Sequence, residues 1–459
     1  MKKHAWIAVA GSVALVALYP GLAWLMGIAI ESRVGLSAER LRAQTPYLTL
    51  VEQQFHRGWY TSTQDLTLEV AAAALAGLPQ FSGPSPANPT AQGLRFTIHS
   101  VIHHGPICGS TCLGLARIDS RLVLSDDVRS AVAKLFGPDD PLTIRSRLGF
   151  FGGGITTISS PAIKDLALDR GAGFGWDGLQ LTVAYSRHGD SIELHGAVPR
   201  ILFTGVNGSR IELRTLALES TSRRVSPLLH ATNMDFGVDR MAFSGPPGNN
   251  ATTVERVRYL VNTTTDAGFM DMAFQLSSGV IDSASLKLQA AHFDMTLGHL
   301  QMTALETLNE NMQEFNRQPG GASAAGTSKL LAAMRGPAAD LLLQRPEMHL
   351  DRINLVTNAG QIALKGVVRL SDVAAADFAD GADPKAFFGK IVGDLEFSID
   401  DAALADLPFA AARADVQLQA LANRGFANHD KGRWLMTIHF EHGQTTVNGK
   451  PFQAAGSGI

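Results

Sequence analysis

Few residues in this sequence have the types and spacing that chemistry requires. His103 and His104 stand together ahead of Gly105-Pro106. Imidazoles serve as metal ligands and general bases, but adjacent residues on a strand point to opposite faces. The pair cannot grip one ion without a bend, and a zinc site needs three or four converging ligands. The next histidines, His188 and His195, fall on a separate predicted hairpin. His103 and His104 therefore read as structural. Cys108 and Cys112, in CGSTC, are the only 2 cysteines. Two thiols do not make a zinc framework, and nothing beside them lowers a thiol pKa for redox work. A tight local disulfide, in an oxidising compartment, and a pair of free thiols both stay open.

The run LGFFGGGITT, Leu148 to Thr157, is rich in glycine. A phosphate loop needs a Lys-Ser/Thr pair and a helix after its glycines, and β-type residues follow here instead. The glycines suit a bend in a sheet or the close approach of another backbone. Asp126-Asp127 and Asp139-Asp140 flank a predicted helix and a proline, where helix-end charge and turn chemistry account for them. No nucleophile elbow occurs. The sequence predicts no catalytic residue, no cofactor and no metal, and a protein that is not an enzyme.

The elements that carry these residues are mostly strands. The chain has 459 residues, 45% hydrophobic and 18% charged, which suits a substantial core. Its net charge of −3 leaves no basic excess to hold nucleic acid. Its 45 glycines and 20 prolines fit many short strands and turns. Alternation is clear over Leu94 to Ile107, Leu113 to Leu124, Leu179 to Tyr185, Ser191 to Val198 and Ser209 to Ser220, with Asn207-Gly208 as a hairpin turn. Residues 125–137 read as a short helix, 299–318 as an amphipathic one, 319–328 as a small-residue linker, and 329–336, 371–379, 384–390 and 401–422 as further short helices. No helix-length segment separates successive strands in the middle of the chain, so the expected layout is an antiparallel meander and not a βαβ fold.

The N-terminus differs from everything after it. Lys2 and Lys3 precede an uncharged stretch from Ala5 to Ile30. As a helix it would be about 39 Å long, enough to cross a bilayer core of about 30 Å. Trp6 and Trp24 suit its two interfaces, and the preceding lysines place the remainder outside the cytoplasm. A cleaved signal peptide is the rival reading, although the run is longer than a signal core of about 7–15 residues. The expected organisation is a cytoplasmic tip (1–4), a transmembrane helix (5–30), a β-rich region (31–298), a helical insertion (299–335) and a second β-rich region with short helices (336–459).

Several short motifs then occur in order along the chain. They are RGWYTS with Arg57, Gly58 and Ser62; HGPI with His104, Gly105 and Pro106; and the terminal TVNGKP with Asn448, Gly449 and Pro451. With the single N-terminal span, they make the chain resemble the YdgA-like family of bacterial envelope proteins, and more distantly the AsmA-like proteins. The first resemblance implies inner-membrane attachment and a periplasmic body, with no catalytic residues to carry over. The second implies a long curved sheet with an apolar inner face, associated with lipid handling. The fold expected is mainly β with minor helices, an elongated curved antiparallel body behind a transmembrane helix. The partners expected are the membrane, lipid and a second copy of the chain, without nucleic acid. The function expected is a scaffold or hydrophobic-ligand binder. A closed-sheet self-association module is the alternative, with a periplasmic hydrolase behind both.

Overall fold

Residues that alternate apolar and polar put one kind of side chain on each face of a strand, and this sequence does so repeatedly. The computed structural model describes residues 48–70, 94–107, 113–124, 139–167, 171–246, 251–317, 324–378, 387–407 and 411–452, with 26, 129–130, 132–133 and 136–137 besides. Apart from Met26, the expected span at 5–30 lies outside the described residues. So do both cysteines. Among the described residues, no helix is long and apolar enough to cross a membrane. The chain forms two compact units. Unit 1 comprises Met1–Lys164, Asp177–Gly196 and Gln313–Gly321, and unit 2 comprises Asp165–Trp176, Ala197–Met312 and Ala322–Ile459.

The first strands are β1 (Leu48–His56), β2 (Thr61–Val70), β3 (Leu94–His104), β4 (Ala116–Val123), β5 (Thr143–Leu148) and β6 (Gly154–Ser160). They are followed by β7 (Ile163–Ala167), β8 (Gly173–Trp176), β9 (Leu179–Tyr185) and β10 (Ser191–Thr204). Strands β1 to β6 pair antiparallel in succession, and β6 pairs with β9. On one face, Leu50 and Leu68 are buried with Leu66, Phe96 and Ile98 against them. Further along that face Ile102, Leu115 and Ala116 form a second cluster, joined by Phe55, Ile118 and Leu148. Ser100 and Ser120 share that face and satisfy each other at 2.7 Å, as Ser146 and Thr156 do at 2.8 Å. The opposite face carries ion pairs such as His99 with Asp65.

Strand β10 runs unbroken through Pro199, where the sequence suggests two separate strands. Proline lacks a ladder donor, but β10 pairs first with β9 and then, from Ile201 to Thr204, with β8. Pro199 falls ahead of that second ladder, so no bond of it is lost.

The remaining strands are β11 (Arg210–Arg224), β12 (His230–Ser244), β13 (Ala251–Asp266), β14 (Phe269–Ser278), β15 (Ile281–Asp282), β16 (Lys287–Leu288) and β17 (Ala290–Gln301). Two helices follow, α1 (Met302–Arg317) and α2 (Ala324–Leu343). Then come β18 (Glu347–Val356), β19 (Gln361–Leu370), β20 (Ile391–Asp400), α3 (Asp401–Ala405), α4 (Ala411–Asn423), β21 (Asn428–Asp430), β22 (Arg433–Glu441), β23 (Gln444–Val447) and β24 (Lys450–Pro451). Within unit 2, β11-β12-β13-β14-β17-β18-β19-β20-β22-β23 is an antiparallel meander.

Three sequence expectations change here. Residues 31–298 and 336–459 do not form separate sheets, because β17 pairs with β18 directly across the helical insertion. Residues 319–323 of the expected linker lie outside the described residues, while 324–328 and the short helix read at 329–336 belong to α2, which continues past Pro337. An internal proline costs about 3 kcal/mol, and here Pro337 and Ala339 are both buried by packing. The helix read at 401–422 is two helices, since Leu407 precedes Pro408 and a residue before proline avoids the helical region.

Candidate functional site

The family-type motifs in unit 1 are brought together by strand register. His104 faces Ala116, Ala116 faces Leu148, Leu148 faces Gly154, and Gly154 faces Tyr185. The turns after β1, β3, β5 and β9 therefore lie side by side at one end of the sheet. Backbone bonds tie them: His104 N donates to Tyr60 O at 2.9 Å, and Leu115 N to Leu148 O at 2.8 Å. Gly58 is required where it stands, because a Cβ there would meet the Thr61 carbonyl oxygen at 2.2 Å. The glycine run has the close-approach role expected of it. A Cβ on Gly154 would meet the Tyr185 hydroxyl at 2.6 Å, and burial raises that hydroxyl's pKa, opposed by its bond to Thr156.

Beneath these turns the Ser62 Oγ lies 3.0 Å from His104 Nε2. His103, one residue earlier, points to the other face, as strand geometry demands. A serine and an imidazole at this distance resemble a nucleophile and its base. Ser62 is 1% exposed and His104 2%, however, so neither reaches a substrate. The pair joins β2 to β3, and Gly58 N also approaches Ser62 Oγ, at 3.4 Å. Gly58, Ser62, His104, Gly105 and Pro106 are thus one packed corner, with Arg57 exposed beside it.

The terminal motif belongs to unit 2. Asn448 (φ 49°) and Gly449 (φ 75°) form a left-handed turn between β23 and β24, and Lys450 and Pro451 make β24. Asn448 Oδ1 accepts from Thr437 N at 2.9 Å and from Thr437 Oγ1 at 3.1 Å. The side chain thereby pins the hairpin to β22. Lys450 Nζ donates to Arg424 O and holds no phosphate cradle.

The larger feature of unit 2 is a row of side chains crossing nine strands in register. Leu218 faces Phe236, then Tyr259, Leu276, Phe293, Ile353, Leu364, Phe397 and Met436 follow, each opposite the last. A parallel row runs Met234, Val261, Phe274, Met295, Leu350, Gly366, Leu395 and Ile438 on the same face. At the β19–β22 end α3 and α4 cover this face, where Ile399, Leu404, Leu418, Ala427 and Trp434 are buried with Phe397 and Met436 against them. Elsewhere Leu218, Phe236, Tyr259, Ile353 and Leu364 are half-buried, and the row is exposed at Leu276 and Phe293. No residue of the first row is buried, and Leu276 and Phe293 are 46% and 42% exposed. Each strand's alternation was legible in the sequence; the alignment of nine strands into one apolar strip was not.

The opposite face of unit 2 is polar. A hollow of about 770 Å³ there is lined by Asp351, Asn354, Lys365, Glu396, Asn428 and Thr437, among others. Its charges hold one another: Lys365 pairs with Glu396 at 2.8 Å, and Arg352 with Asp294 at 2.7 Å. Nearby, Asp394 and then Glu441 hydrogen-bond His439 and raise its pKa. On β12 and β13, the hydrogen bond from Arg258 lowers the Asp235 pKa against a smaller opposing effect of burial. Among the described residues, no three His, Cys, Asp or Glu gather as a metal set.

Fold and site together define a class: an antiparallel meander with a polar face and a partly roofed apolar face. The chain belongs to the family described as "Bacterial protein of unknown function (DUF945)", whose match spans residues 1–455. No curated protein and no solved structure matches it.

Proposed function

We propose that this is a non-catalytic envelope protein, attached to the inner membrane by residues 5–30, whose unit 2 binds the acyl chains of a lipid on its apolar face. One observation carries the reading: the register-matched apolar row from Leu218 to Met436, roofed at its β20–β22 end and exposed at Leu276 and Phe293. Nine strands about 4.8 Å apart make that row about 38 Å long. A surface of this kind gains free energy in contact with hydrocarbon and needs no catalytic group. The uncharged N-terminal stretch and the resemblance to YdgA-like and AsmA-like proteins supply the periplasmic and membrane parts of the proposal.

Protein extracted in mild detergent, purified and stripped with organic solvent should release phospholipid detectable by mass spectrometry. The amount should exceed that from an unrelated single-span protein handled identically. Equal amounts would sink the lipid reading. A stable lipid-free oligomer by light scattering would favour the alternative, in which a second copy covers the same face.

A further inference from the structure

The turn end of unit 1 carries large apolar side chains that its own core does not use. Trp59 is 66% exposed, Leu113 79%, Phe150 46% and Phe151 84%. Tyr60 and Ile107 at the same end are also exposed. These residues come from three separate turns, after β1, β3 and β5, so their shared position reflects sheet register and not one apolar segment. The turns after β1, β3 and β5 carry Arg57, beside Trp59, as their one charged residue, and the turn after β9 carries Arg187 together with Asp190. An aromatic rim with flanking arginines has the composition that settles at a membrane–water interface.

The chain itself indicates what the rim faces. Met26, the one described residue of the uncharged run at 5–30, packs against the Ile102, Leu115 and Ala116 cluster. That cluster lies at the turn end, since Ala116 pairs with both His104 and Leu148. Met26 therefore sits at the end where the rim stands.

We infer that the turn end of unit 1 is a bilayer-docking surface, in which Trp59, Leu113, Phe150 and Phe151 enter the lipid interface beside the anchor. This inference rests on the anchor proposed above and is independent of lipid binding by unit 2. The partner is the phospholipid headgroup and upper acyl region, with Arg57 and Arg187 placed toward phosphates.

The test uses the full chain reconstituted into phosphatidylethanolamine–phosphatidylglycerol vesicles carrying bromine at shallow or deep acyl positions. Vesicle flotation checks the anchor, and tryptophan quenching checks docking. The Trp59 signal is the difference between the wild type and Trp59→Phe. We expect floating protein and a Trp59 component quenched more by shallow than by deep bromine. Phe150→Ser with Phe151→Ser changes only exposed turn residues and should weaken quenching of Trp59. Floating protein whose Trp59 is untouched by bromolipid overturns docking while keeping the anchor. If that Trp59 is also shielded from aqueous iodide, a protein partner covers the rim instead. Protein that fails to float removes the anchor reading, and docking falls with it.

Discussion

Leu276 and Phe293 face each other on β14 and β17 at the open centre of the apolar row, and replacing both with glutamate tests whether that row holds hydrocarbon. Each retains somewhat over 40% of its side chain for contact with a ligand. Full burial of a Leu or Phe is worth about 1.5–3 kcal/mol. The two together therefore contribute about 1.3–2.6 kcal/mol to a bound chain, scaling that range by the exposed share. Two carboxylates facing hydrocarbon add a desolvation penalty on top of this. Since about 1.4 kcal/mol is tenfold in affinity, the double variant should bind a fluorescent phospholipid at least tenfold more weakly. Stability should fall modestly, because the two carboxylates stand directly opposite and repel and each side chain loses the apolar contact of its buried part. Gln275 precedes Leu276 in sequence but lies on the other face, opposite Asp294, so Gln275→Lys, a charge on the polar face, is the control. Titration of the probe against the three proteins, with thermal melts alongside, gives the comparison. Equal affinity in variant, control and wild type would refute the argument that the row is the contact surface.

Ser62→Ala should cost about 1–3 kcal/mol, the penalty for leaving a buried polar partner on His104 unsatisfied; an unchanged denaturant midpoint would show that the buried pair is not a lock. The His439 pKa is raised in the folded state, so its contribution is full below its ordinary value of about 6.5 and fades as pH rises through the raised value. His439→Gln should accordingly flatten the change in denaturant midpoint between pH 6 and pH 8, and an identical slope in both proteins would count against the linkage. Ile107 and Leu113 pair across the stretch that holds Cys108 and Cys112, and a disulfide between those cysteines fits the periplasmic reading. Protein isolated without reductant should then show no titratable thiol when denatured, whereas two thiols would remove the disulfide.

Much of the architecture is legible in the sequence. Alternation at Leu179 to Tyr185 or at Trp434, Met436, Ile438 and Phe440 specifies a strand because burial of one face imposes a period of two. Asn448-Gly449 specifies its turn because both residues accept positive φ. The opposite orientations of His103 and His104 followed from the same geometry. Local sequence was less decisive where packing competes with propensity. Strand β10 passes through Pro199, and α2 passes through Pro337, because neighbouring strands or burial compensate for the local penalty.

What only the tertiary structure decided is which strands meet and in what register. A period of two says which face a residue takes and is silent about its partner on the next strand. The row from Leu218 to Met436 draws on nine segments spread over more than 200 positions of the sequence, and the rim of Trp59, Leu113, Phe150 and Phe151 draws on three turns. Ser62 meets His104 across 42 positions. In each case the sequence determined the side chain and its face, while hydrogen-bonded register, a non-local property, assembled them into surfaces.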